Sequence, residues 1–430
     1  MKHYNILIFP CGTEIANEIF RSLKNHKYFK LQGATSIENS YCDFRNIEIS
    51  QLPFVNDKSF LDELKKIIRN KNIDLIIPAH DDVAYKLSEL ENKINANVIG
   101  QNYNINKIVR FKDKTYSYFE KILPVPSYKE DPENTNNYPL FVKPKKGQGS
   151  NNSFKLDNID DYNSFKKSYN YEDFVIMEYL NGDEFTIDCF SINGKLKYMG
   201  ARSRDKTING ISVRSSFIND EKLNQEFKNY AETISEELNM DGVWFYQMKY
   251  DINGDLRLLE IGPRVSGTMM LNRARGINFV ELSIYNELGY ELELTYNNFN
   301  DIIVGRSLQP VYKQDLVYNN LYIDFDDTLF LDEKYINTEL IKLIFQIKNE
   351  NKNVYLITKH DKKMLTKVLH DFGITNIFDD IIHLSNEENK IDFMKDKSIL
   401  IDDSFQERNE AIKANFYALS IDNISILLRE

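Results

Sequence analysis

The chain has 430 residues, a length typical of two to four domains, and 42% of them are hydrophobic, which supports folded cores throughout. It carries 54 Lys and Arg against 65 Asp and Glu, and the resulting net charge of −11 opposes general binding to nucleic acid. Its three cysteines, Cys11, Cys42 and Cys189, have no paired spacing, so we expect neither disulfides nor a zinc site. No apolar run has the length of a membrane span. We therefore expect a soluble, cytoplasmic protein with no membrane or nucleic-acid partner.

The first region alternates strand and helix patterns. It predicts strands at residues 4–10 and 73–78 and helices at 15–23 and 60–70. This alternation predicts an open parallel α/β sheet, covered by helices, over residues 1–105. The turn after the first strand contains only Gly12, so the several glycines of a dinucleotide-binding fingerprint are absent.

The second region, residues 106–312, has short strands separated by Gly and Asn turns. Its pattern predicts an α+β domain with antiparallel hairpins. Two Asn-Gly pairs, at 193–194 and 253–254, favour tight hairpins because both residue types tolerate positive φ. Strands are predicted at residues 141–143, 174–178, 185–191, 195–201, 243–251 and 256–261.

The third region, residues 318–430, follows a short polar linker and returns to alternating elements. Strands are predicted at residues 321–325, 354–358 and 398–402, and helices at 339–348, 364–372 and 407–414. The order predicts a second, Rossmann-like parallel sheet.

Several residues in the second region are suited to binding a nucleotide. Lys143 ends an apolar strand and precedes the loop Gly147-Gln148-Gly149-Ser150, whose backbone N–H groups suit phosphate oxygens. Alone, this pattern is more often that of a plain surface hairpin. Gln247 and Glu260 add oxygen ligands at neighbouring strand ends, and Arg264 follows as a group for an anion. Together the residues indicate a magnesium triphosphate site.

In combination these motifs resemble the ATP-grasp superfamily, in particular its carboxylate–amine ligases related to carbamoyl phosphate synthetase and biotin carboxylase. The resemblance covers residues 1–312. It implies a pre-ATP-grasp domain at 1–105, an ATP-grasp domain at 106–312, and ATP and Mg²⁺ as cofactors. The residue roles that it implies are Lys114 and Lys143 on the ATP phosphates, Glu178, Tyr179 and Leu180 at the adenine, Glu184 on the ribose, Gln247 and Glu260 on magnesium, and Arg264 on the acyl phosphate or substrate anion.

One position departs from the family pattern Glu-x-Asn-Pro-Arg. Gly262 stands where an asparagine ligand is expected, and glycine has no side-chain oxygen for a second metal ion. If this is only family variation, Gly262→Asn is expected to preserve or raise turnover. Arg202 and Arg214 are predicted to bind an anionic substrate, whereas Arg204 is equally well explained as a solvated charge at a strand edge.

The third region places Asp324 and Asp326 directly after an apolar strand. Residues one apart at a strand end face the same side, so both carboxylates can converge on one phosphate. With the later elements, residues 316–430 resemble the haloacid dehalogenase superfamily, without a large cap domain. The roles implied are Asp324 as nucleophile, Asp326 as general acid/base, Thr358 and Lys390 as phosphate ligands, and Asp324, Asp326, Asp402 and Asp403 around magnesium.

The two resemblances together imply a bifunctional enzyme. Its ligase half forms an amide through an acyl phosphate from a small-molecule carboxylate and an amine, and its phosphatase half removes phosphate from the substrate or product. Surface polysaccharide or small-metabolite biosynthesis are the expected settings, and a homodimer is compatible with this interpretation. Two alternatives stay open: a small-molecule kinase with a phosphatase, and an ATP-binding protein whose ligase half is inactive. His360 and Cys189 are interpreted as ordinary packing or surface residues.

Overall fold

The computed structural model describes residues 2–45, 47–128, 131–135, 137–147, 152–297, 299 and 301–429. The chain forms two compact units, one within residues 1–308 and one that contains Gln309–Glu430. The two domains predicted before residue 312 therefore lie together in the first unit. None of the described helices is both long enough and apolar enough to cross a membrane.

The first unit begins with the predicted parallel sheet. Its five strands have the order β3-β2-β1-β4-β5 and are all parallel. Ile6 and Ile8 pack on one face and Leu7 and Phe9 on the other, because successive side chains of a strand alternate. The elements are β1 (Tyr4–Phe9), α1 (Glu14–Leu23), β2 (Phe29–Thr35), β3 (Glu48–Gln51), α2 (Phe60–Lys71), β4 (Leu75–Pro78), α3 (Asp81–Leu90) and β5 (Asn97–Val98).

A small three-stranded sheet follows, with the order β7-β6-β8 and antiparallel pairing. Helix α6 covers one face of it, where Tyr162 and Phe165 pack with Leu140 and Val142. Lys143 lies near the end of its central strand, as predicted. The elements are α4 (Tyr103–Val109), α5 (Lys112–Phe119), β6 (Leu140–Pro144), β7 (Phe154–Leu156), α6 (Ile159–Ser168) and β8 (Phe174–Glu178).

The rest of the first unit is built on a four-stranded antiparallel sheet of order β10-β9-β13-β14, with a three-stranded sheet of order β11-β12-β15. Phe279 and Ile284 pack in the same core as Ile6 and Ile8 of the first sheet. This shared core explains why the first 308 residues fold as one unit. The elements are β9 (Glu184–Ile192), β10 (Lys195–Ser203), β11 (Lys206–Ile208), β12 (Ile211–Ser216), α7 (Glu221–Leu238), β13 (Gly242–Tyr250), β14 (Leu256–Gly262), α8 (Met270–Ala274), α9 (Phe279–Glu287) and β15 (Ile303–Gly305).

One face of the four-stranded sheet is apolar, and the other is apolar around Phe190 and Val243 but polar around Gln247. Trp244, Tyr246 and Met248 pack in one core with the buried side of helix α7. The alternate residues of β13 therefore project from the other face. A bulge in β14 adds Leu259, since Gln247 pairs with Glu260 but the next residue pairs with Leu258. The bulge turns Glu260 onto the polar part of this other face while Leu258 stays in the core.

Both Asn-Gly pairs form the predicted hairpin connections, but by different turns. Asn193 and Gly194 have φ of 47° and 77°, as a turn with two left-handed residues requires. In the second hairpin only Gly254, with φ of 83°, is left-handed. There the Asp251 carboxylate accepts the backbone N–H of Asn253 at 2.8 Å and of Asp255 at 2.9 Å and stabilises the turn.

The second unit contains a five-stranded parallel sheet of order β20-β19-β16-β21-β22. The strands β16, β19 and β21 are adjacent, so their carboxyl ends meet at one edge of the sheet. Only a two-stranded hairpin, β17 with β18, interrupts the segment between β16 and helix α10. The elements are β16 (Asn320–Ile323), β17 (Phe330–Leu331), β18 (Tyr335–Ile336), α10 (Thr338–Asn349), β19 (Asn353–Thr358), α11 (Lys362–Asp371), β20 (Asp380–His383), β21 (Ser398–Ile401), α12 (Phe405–Lys413) and β22 (Tyr417–Leu419).

Candidate functional site

A cavity lies between the three-stranded and four-stranded sheets of the first unit. Both sheets contribute side chains, together with the start of α5 and the segment after β8. One part of its wall is apolar and another carries lysines and oxygen ligands. The cavity is lined by Lys112, Phe141, Lys143, Pro144, Gly147, Ser153, Met177, Tyr179, Leu180, Glu184, Gln247, Lys249, Leu259 and Glu260.

Three lysines, Lys112, Lys143 and Lys249, line this cavity. Lys143 is 7% exposed, and burial, assisted by the nearby charge of Lys112, lowers its pKa to about 7. Burial also lowers the pKa of Lys112, whose Nζ donates to the carbonyl oxygen of Gly147 at 3.0 Å. An anion with several charges would reverse both shifts, because it stabilises the ammonium forms. This pair is therefore suited to a polyphosphate.

The structure places Lys114 outside the cavity. Its side chain is exposed, and its Nζ lies 4.4 Å from the centre of the Phe111 ring. Lys112 occupies the place predicted for it, because residues two apart on a helix point in nearly opposite directions. Of the predicted phosphate loop, Gly147 lines the cavity, whereas Gln148, Gly149 and Ser150 lie outside the described residues.

The residues predicted to contact the adenine do not all lie in the cavity. Tyr179 and Leu180 line the cavity, as does Glu184. Glu178 instead accepts the backbone N–H of Ser127 at 2.9 Å and returns its own N–H to the Ser127 carbonyl at 2.8 Å. Its side chain therefore fixes the strand end. Glu184 forms an ion pair with Arg204 at 2.8 Å.

Gln247 and Glu260 are direct cross-strand partners on the polar part of the four-stranded sheet. Such partners have Cβ atoms only about 4.5–5.5 Å apart. An amide and a carboxylate oxygen at this separation fit Mg²⁺, which prefers oxygen ligands. The sequence prediction of these two ligands agrees with this geometry.

A second cavity shares Gln247 and Glu260 with the first. Its wall is rich in arginines and hydroxyl groups and includes the start of helix α1. The lining residues are Thr13, Glu14, Ile15, Ala79, His80, Arg202, Arg204, Asn209, Gly210, Ile211, Ser212, Phe245, Gln247, Glu260, Arg264, Ser266, Gly267, Thr268 and Arg306. The predicted metal ligands thus stand between two spaces, one suited to a nucleotide and one to an anionic substrate.

Arg202 is held by a buried network at the wall of this second cavity. It is 1% exposed, and its Nε donates to the Asp188 carboxylate at 2.8 Å. Its NH2 nitrogen donates to Ser266 Oγ at 3.0 Å, and Ser266 in turn donates to Asp188 at 2.7 Å. Asn272 donates to the same carboxylate at 2.9 Å. The network fixes the guanidinium in one orientation, which suits the predicted role of Arg202 in binding a substrate anion.

Arg264 is engaged more fully than the sequence suggested. Its Nε and NH2 donate to the two carboxylate oxygens of Asp81 at 2.6 and 2.8 Å, and its NH1 donates to the Val265 carbonyl at 2.9 Å. Arg264 lowers the pKa of Asp81 although burial opposes this. The pair ties the start of α3 to the end of β14. In this structure Arg264 supports the wall of the cavity, with all three nitrogens in use.

The other arginines differ from the sequence prediction. Arg214 is exposed and does not line the cavity, because its strand position pairs it with Lys206 and Gly305 on the outer sheet. Arg204, for which a solvated role was equally plausible, lines the cavity and so does Arg306, which the sequence reasoning missed. Local sequence gives little indication of Arg306, because it follows β15, which lies about a hundred residues after its partner strand β12.

Gly262 has a clear structural explanation. A Cβ atom built at this position would lie 2.1 and 2.2 Å from two ring atoms of Phe245 on the neighbouring strand. Phe245 and Gly262 are direct cross-strand partners, so the ring occupies the space of the missing side chain. The Arg264 guanidinium carbon lies 5.4 Å from the centre of the same ring. An aromatic ring thus stands where the family pattern places a metal ligand.

A separate charged cluster occupies the carboxyl edge of the sheet in the second unit. Lys390 Nζ donates to Asp324 Oδ1 at 2.5 Å and to Asp402 Oδ2 at 2.6 Å. Burial raises the pKa of Asp324 to about 7 and also raises that of Asp402. Burial opposes the charge of Lys390, but the two carboxylates outweigh it and raise its pKa. Oxygens of Asp324, Asp402 and Asp403 lie within 4.8 Å of one another, which fits one magnesium ion.

The remaining predicted residues of this cluster lie at the same edge. Asp326 is exposed and directs its carboxylate to His360 Nδ1 at 2.8 Å, outside the three-carboxylate group. His360 therefore has a polar partner that its position in sequence did not reveal. Thr358 is buried at the end of β19, where its hydroxyl accepts the His360 backbone N–H at 3.0 Å. Asp403 accepts from the Thr328 hydroxyl at 3.3 Å.

Comparison with known proteins identifies the fold of the first unit. Residues 170–307 match ATPgrasp_Ter, a family described as ATP-grasp in the biosynthetic pathway with Ter operon. No curated protein matches the chain. The family match and the shared fold show that this part of the chain is similar to ATP-grasp proteins. No comparison identifies the second unit as a haloacid dehalogenase domain, and that assignment stays a prediction.

Solved structures share this fold at low sequence identity. The biotin carboxylase domain of Hydrogenobacter thermophilus 2-oxoglutarate carboxylase, solved as a dimer with MgADP, ADP and bicarbonate, has a TM-score of 0.57 and 12% identity and covers 69% of this chain and 72% of its own. Staphylococcus aureus N5-carboxyaminoimidazole synthetase with ADP has a TM-score of 0.56 and 18% identity, and the match covers 69% of this chain and 80% of that one. Bacillus licheniformis L-amino acid ligase has a TM-score of 0.55 and 18% identity, and the match covers 67% of this chain and 75% of that one. The bound ADP and MgADP agree with ATP and Mg²⁺ as the cofactors here.

The low pKa of Lys143 predicts a pH-dependent stability in the absence of ATP. The unfolded chain, with a lysine pKa near 10.5, binds more protons than the folded one between pH 7 and 10.5, so stability rises with pH across this window. Fluorescence of Trp244, the one tryptophan of the chain, can follow unfolding at pH 7 and 9. Lys143→Met should flatten the rise and weaken ATP binding. Lys114→Met is the matched control and should change neither the pH dependence of stability nor ATP binding. Equal effects of both substitutions would contradict the assignment of Lys143 to the ATP phosphates.

The contact between Phe245 and residue 262 reverses the expectation for Gly262→Asn. The new side chain meets the Phe245 ring, and overpacking of this kind costs about 1–3 kcal/mol. We expect a lower unfolding midpoint and lower ATP turnover, and partial recovery of stability in the double variant Gly262→Asn/Phe245→Ala. Gly305→Asn is the control for stability, since a Cβ at Gly305 meets nothing within 4 Å. A stable, fully active Gly262→Asn single variant would show that the ring is not an obstacle.

Proposed function

We propose that the first unit is an ATP-dependent ligase that joins a small-molecule carboxylate to an amine, and that the second unit is a magnesium-dependent phosphatase. The observation that carries the ligase half is the position of Gln247 and Glu260 in the wall of two adjoining cavities. One cavity has the lysines that a triphosphate needs, and the other has a fixed arginine. A phosphoryl group held between them can pass from nucleotide to acid without leaving the protein.

The proposed reaction has two steps. An oxygen of the substrate carboxylate attacks the γ-phosphorus of ATP, the bond to the β-phosphate oxygen breaks, and ADP leaves. The amine then attacks the carbonyl carbon of the acyl phosphate, phosphate leaves, and the amine loses its proton. Lys143 and Lys112 neutralise charge on the transferred group. A bound magnesium ion would add charge neutralisation at Gln247 and Glu260.

The phosphatase half is supported by the cluster around Lys390. In this proposal Asp324 attacks the phosphorus of a phosphomonoester, the bond to the alcohol oxygen breaks, and Asp326 gives that oxygen a proton. Asp326 then takes a proton from water, which attacks the phosphorus of the aspartyl phosphate, and phosphate leaves as the Asp324 carboxylate is restored. Lys390 keeps two buried carboxylates close together at short distance. Asp402 and Asp403, with Asp324, would hold magnesium, which would offset the charge of the attacked phosphate.

A kinase that phosphorylates the acid without forming an amide would use the same two cavities. The dependence of ADP release on amine separates the two activities, since a ligase needs both substrates for turnover. An ATP-binding protein without turnover is the other alternative, and it derives support from the missing oxygen ligand at Gly262. Solved relatives of the fold include an L-amino acid ligase, which favours amide formation here.

The two proposed activities should be separable by single substitutions. Glu260→Ala is expected to abolish ATP consumption and leave hydrolysis of a phosphomonoester intact, whereas Asp324→Asn should do the reverse. The reason is that Glu260→Ala removes a metal ligand from the first site only, whereas Asp324→Asn replaces the nucleophile of the second site by a neutral amide. ADP release and phosphate release measured on both folded variants test this. Parallel loss of both activities in either variant would refute two independent sites.

We further propose that the amine is a phosphorylated amino alcohol or amino acid whose phosphate is removed after coupling. The motivation is that Arg204 and Arg306 line the second cavity in addition to Arg202, which is more arginines than ATP binding requires. Phosphate strengthens binding of a small amine through charge-assisted hydrogen bonds.

Mass spectrometry of products made with candidate phospho-amines tests this proposal. With Asp324→Asn the conjugate should retain its phosphate, and with the wild type it should lose it. Identical products from both proteins with every accepted amine would show that the phosphatase serves another substrate.

A further inference from the structure

Two buried polar atoms near the second cavity lack partners within the protein. Among the described residues, neither Arg202 NH1 nor Thr186 Oγ1 has a hydrogen-bond partner. Arg202 is 1% exposed and Thr186 is fully buried. Buried polar groups are nearly always paired, so two unpaired neighbours indicate a place where a ligand supplies the missing partner.

The two residues belong to one row across the four-stranded sheet. Arg202 pairs with Thr186, Thr186 pairs with Gln247, and Gln247 pairs with Glu260. Directly paired residues project from the same face of a sheet. That face borders the second cavity, because Arg202, Gln247 and Glu260 all line it.

The NH1 group of Arg202 is the one part of this guanidinium left for a ligand. Asp188 and Ser266 hold its other two nitrogens. The other arginines of the cavity have carboxylate partners, namely Arg204 with Glu184, Arg264 with Asp81 and Arg306 with Glu14. The ion pair of Arg202 with Asp188 therefore does not have to break for its buried NH1 group to bind a ligand.

The row also separates this donor from the reacting end of the cavity. Adjacent strands are about 4.8 Å apart, so the Cα of Arg202 lies about 14 Å from that of Glu260. The carboxylate that ATP activates has to lie near Glu260 and Lys143. Side chains on one face stand roughly perpendicular to the sheet, so most of this separation remains between their polar ends, and a single carboxylate does not span it. A second group on the same substrate is needed to reach Arg202.

We propose that the acid substrate is dianionic: one carboxylate is activated beside Gln247 and Glu260, and a second anionic group binds Arg202 NH1 and the Thr186 hydroxyl. This inference rests on the proposed ligase function and narrows its substrate to dicarboxylic acids and their amino derivatives. Bicarbonate is excluded as the acid, because one small ion cannot occupy both positions. Thr186 is a specificity-determining residue in this assignment.

Binding of linear dicarboxylates tests the proposal without requiring turnover. The probes are the acids from malonate to adipate, each compared with its monoamide, in which one carboxylate is replaced by a neutral group of similar size. The midpoint of thermal unfolding of the full chain, read from Trp244 fluorescence, is measured with ATP and Mg²⁺ present. A ligand that binds the folded state raises this midpoint. At least one dicarboxylate should raise it by several degrees, and its monoamide should not.

Thr186→Val removes the hydroxyl while keeping the shape of the side chain. Because Thr186 Oγ1 has no partner among the described residues, the variant without added acid should be as stable as the wild type. Its affinity for the dicarboxylate should fall about tenfold, as expected for one lost hydrogen bond to a charged group. Arg202→Lys should have the same effect on the dicarboxylate. Thr35→Val is the matched control: its hydroxyl bonds the Ile37 carbonyl at 3.1 Å, so stability should fall while the dicarboxylate shift stays.

The outcomes separate this inference from the ligase proposal. If no dicarboxylate raises the midpoint, if monoamides raise it equally, or if Thr186→Val keeps the full shift, the dianionic substrate is refuted. ADP release with each acid and a panel of amines is measured in parallel. If a dicarboxylate raises the unfolding midpoint but no amine leads to ADP release, the ligase proposal is refuted and the proposed binding site is retained. If only monocarboxylates lead to ADP release, the ligase proposal is retained and the dianionic substrate is refuted.

Discussion

The register of the four-stranded antiparallel sheet is the constraint on which the first unit depends. It places Arg202, Thr186, Gln247 and Glu260 in one row, so residues far apart in sequence face one space. A slip of one residue in any of these strands would turn its polar side chains into the core beside helix α7. The apolar face with Trp244 and Tyr246 opposes such a slip. The same packing that stabilises the fold therefore sets the geometry of the site.

Buried ion pairs give the site its rigidity. Arg202 with Asp188 and Arg264 with Asp81 are pairs in which both partners are largely buried. A buried charge is costly without a partner, so each carboxylate is needed to keep its arginine in place. Asp81 comes from the segment that precedes the ATP-grasp fold. This explains in physical terms why the first sheet is part of the same unit, since it supplies a counter-charge as well as core.

Much of this arrangement could be predicted from sequence. Apolar runs that end in functional groups indicate the strands and the order of the motifs. They also indicate the candidate site residues Lys143, Gln247, Glu260 and Arg202. The choice between Lys112 and Lys114 could not be made, because it depends on the rotation of one helix.

Arg306 could not be found from local sequence either, because it reaches the cavity only through pairing of strands β12 and β15. The Phe245 ring over Gly262 depends on cross-strand register, which no local pattern reveals. In the second unit the predicted cluster lies together, and its catalytic role stays a prediction.

The bulge at Leu259 has a mechanical consequence. The Leu259 carbonyl accepts the Tyr116 hydroxyl at 2.8 Å and lies 3.4 Å from Lys143 Nζ. One peptide oxygen thus couples helix α5 and strand β6 to the strand that carries Glu260. A hinge motion that separates the small sheet from the large one has to stretch the contact between Lys143 and this oxygen. Nucleotide phosphates that draw the Lys143 ammonium away would loosen this link, so the stiffness between the two sheets depends on what the lysine binds.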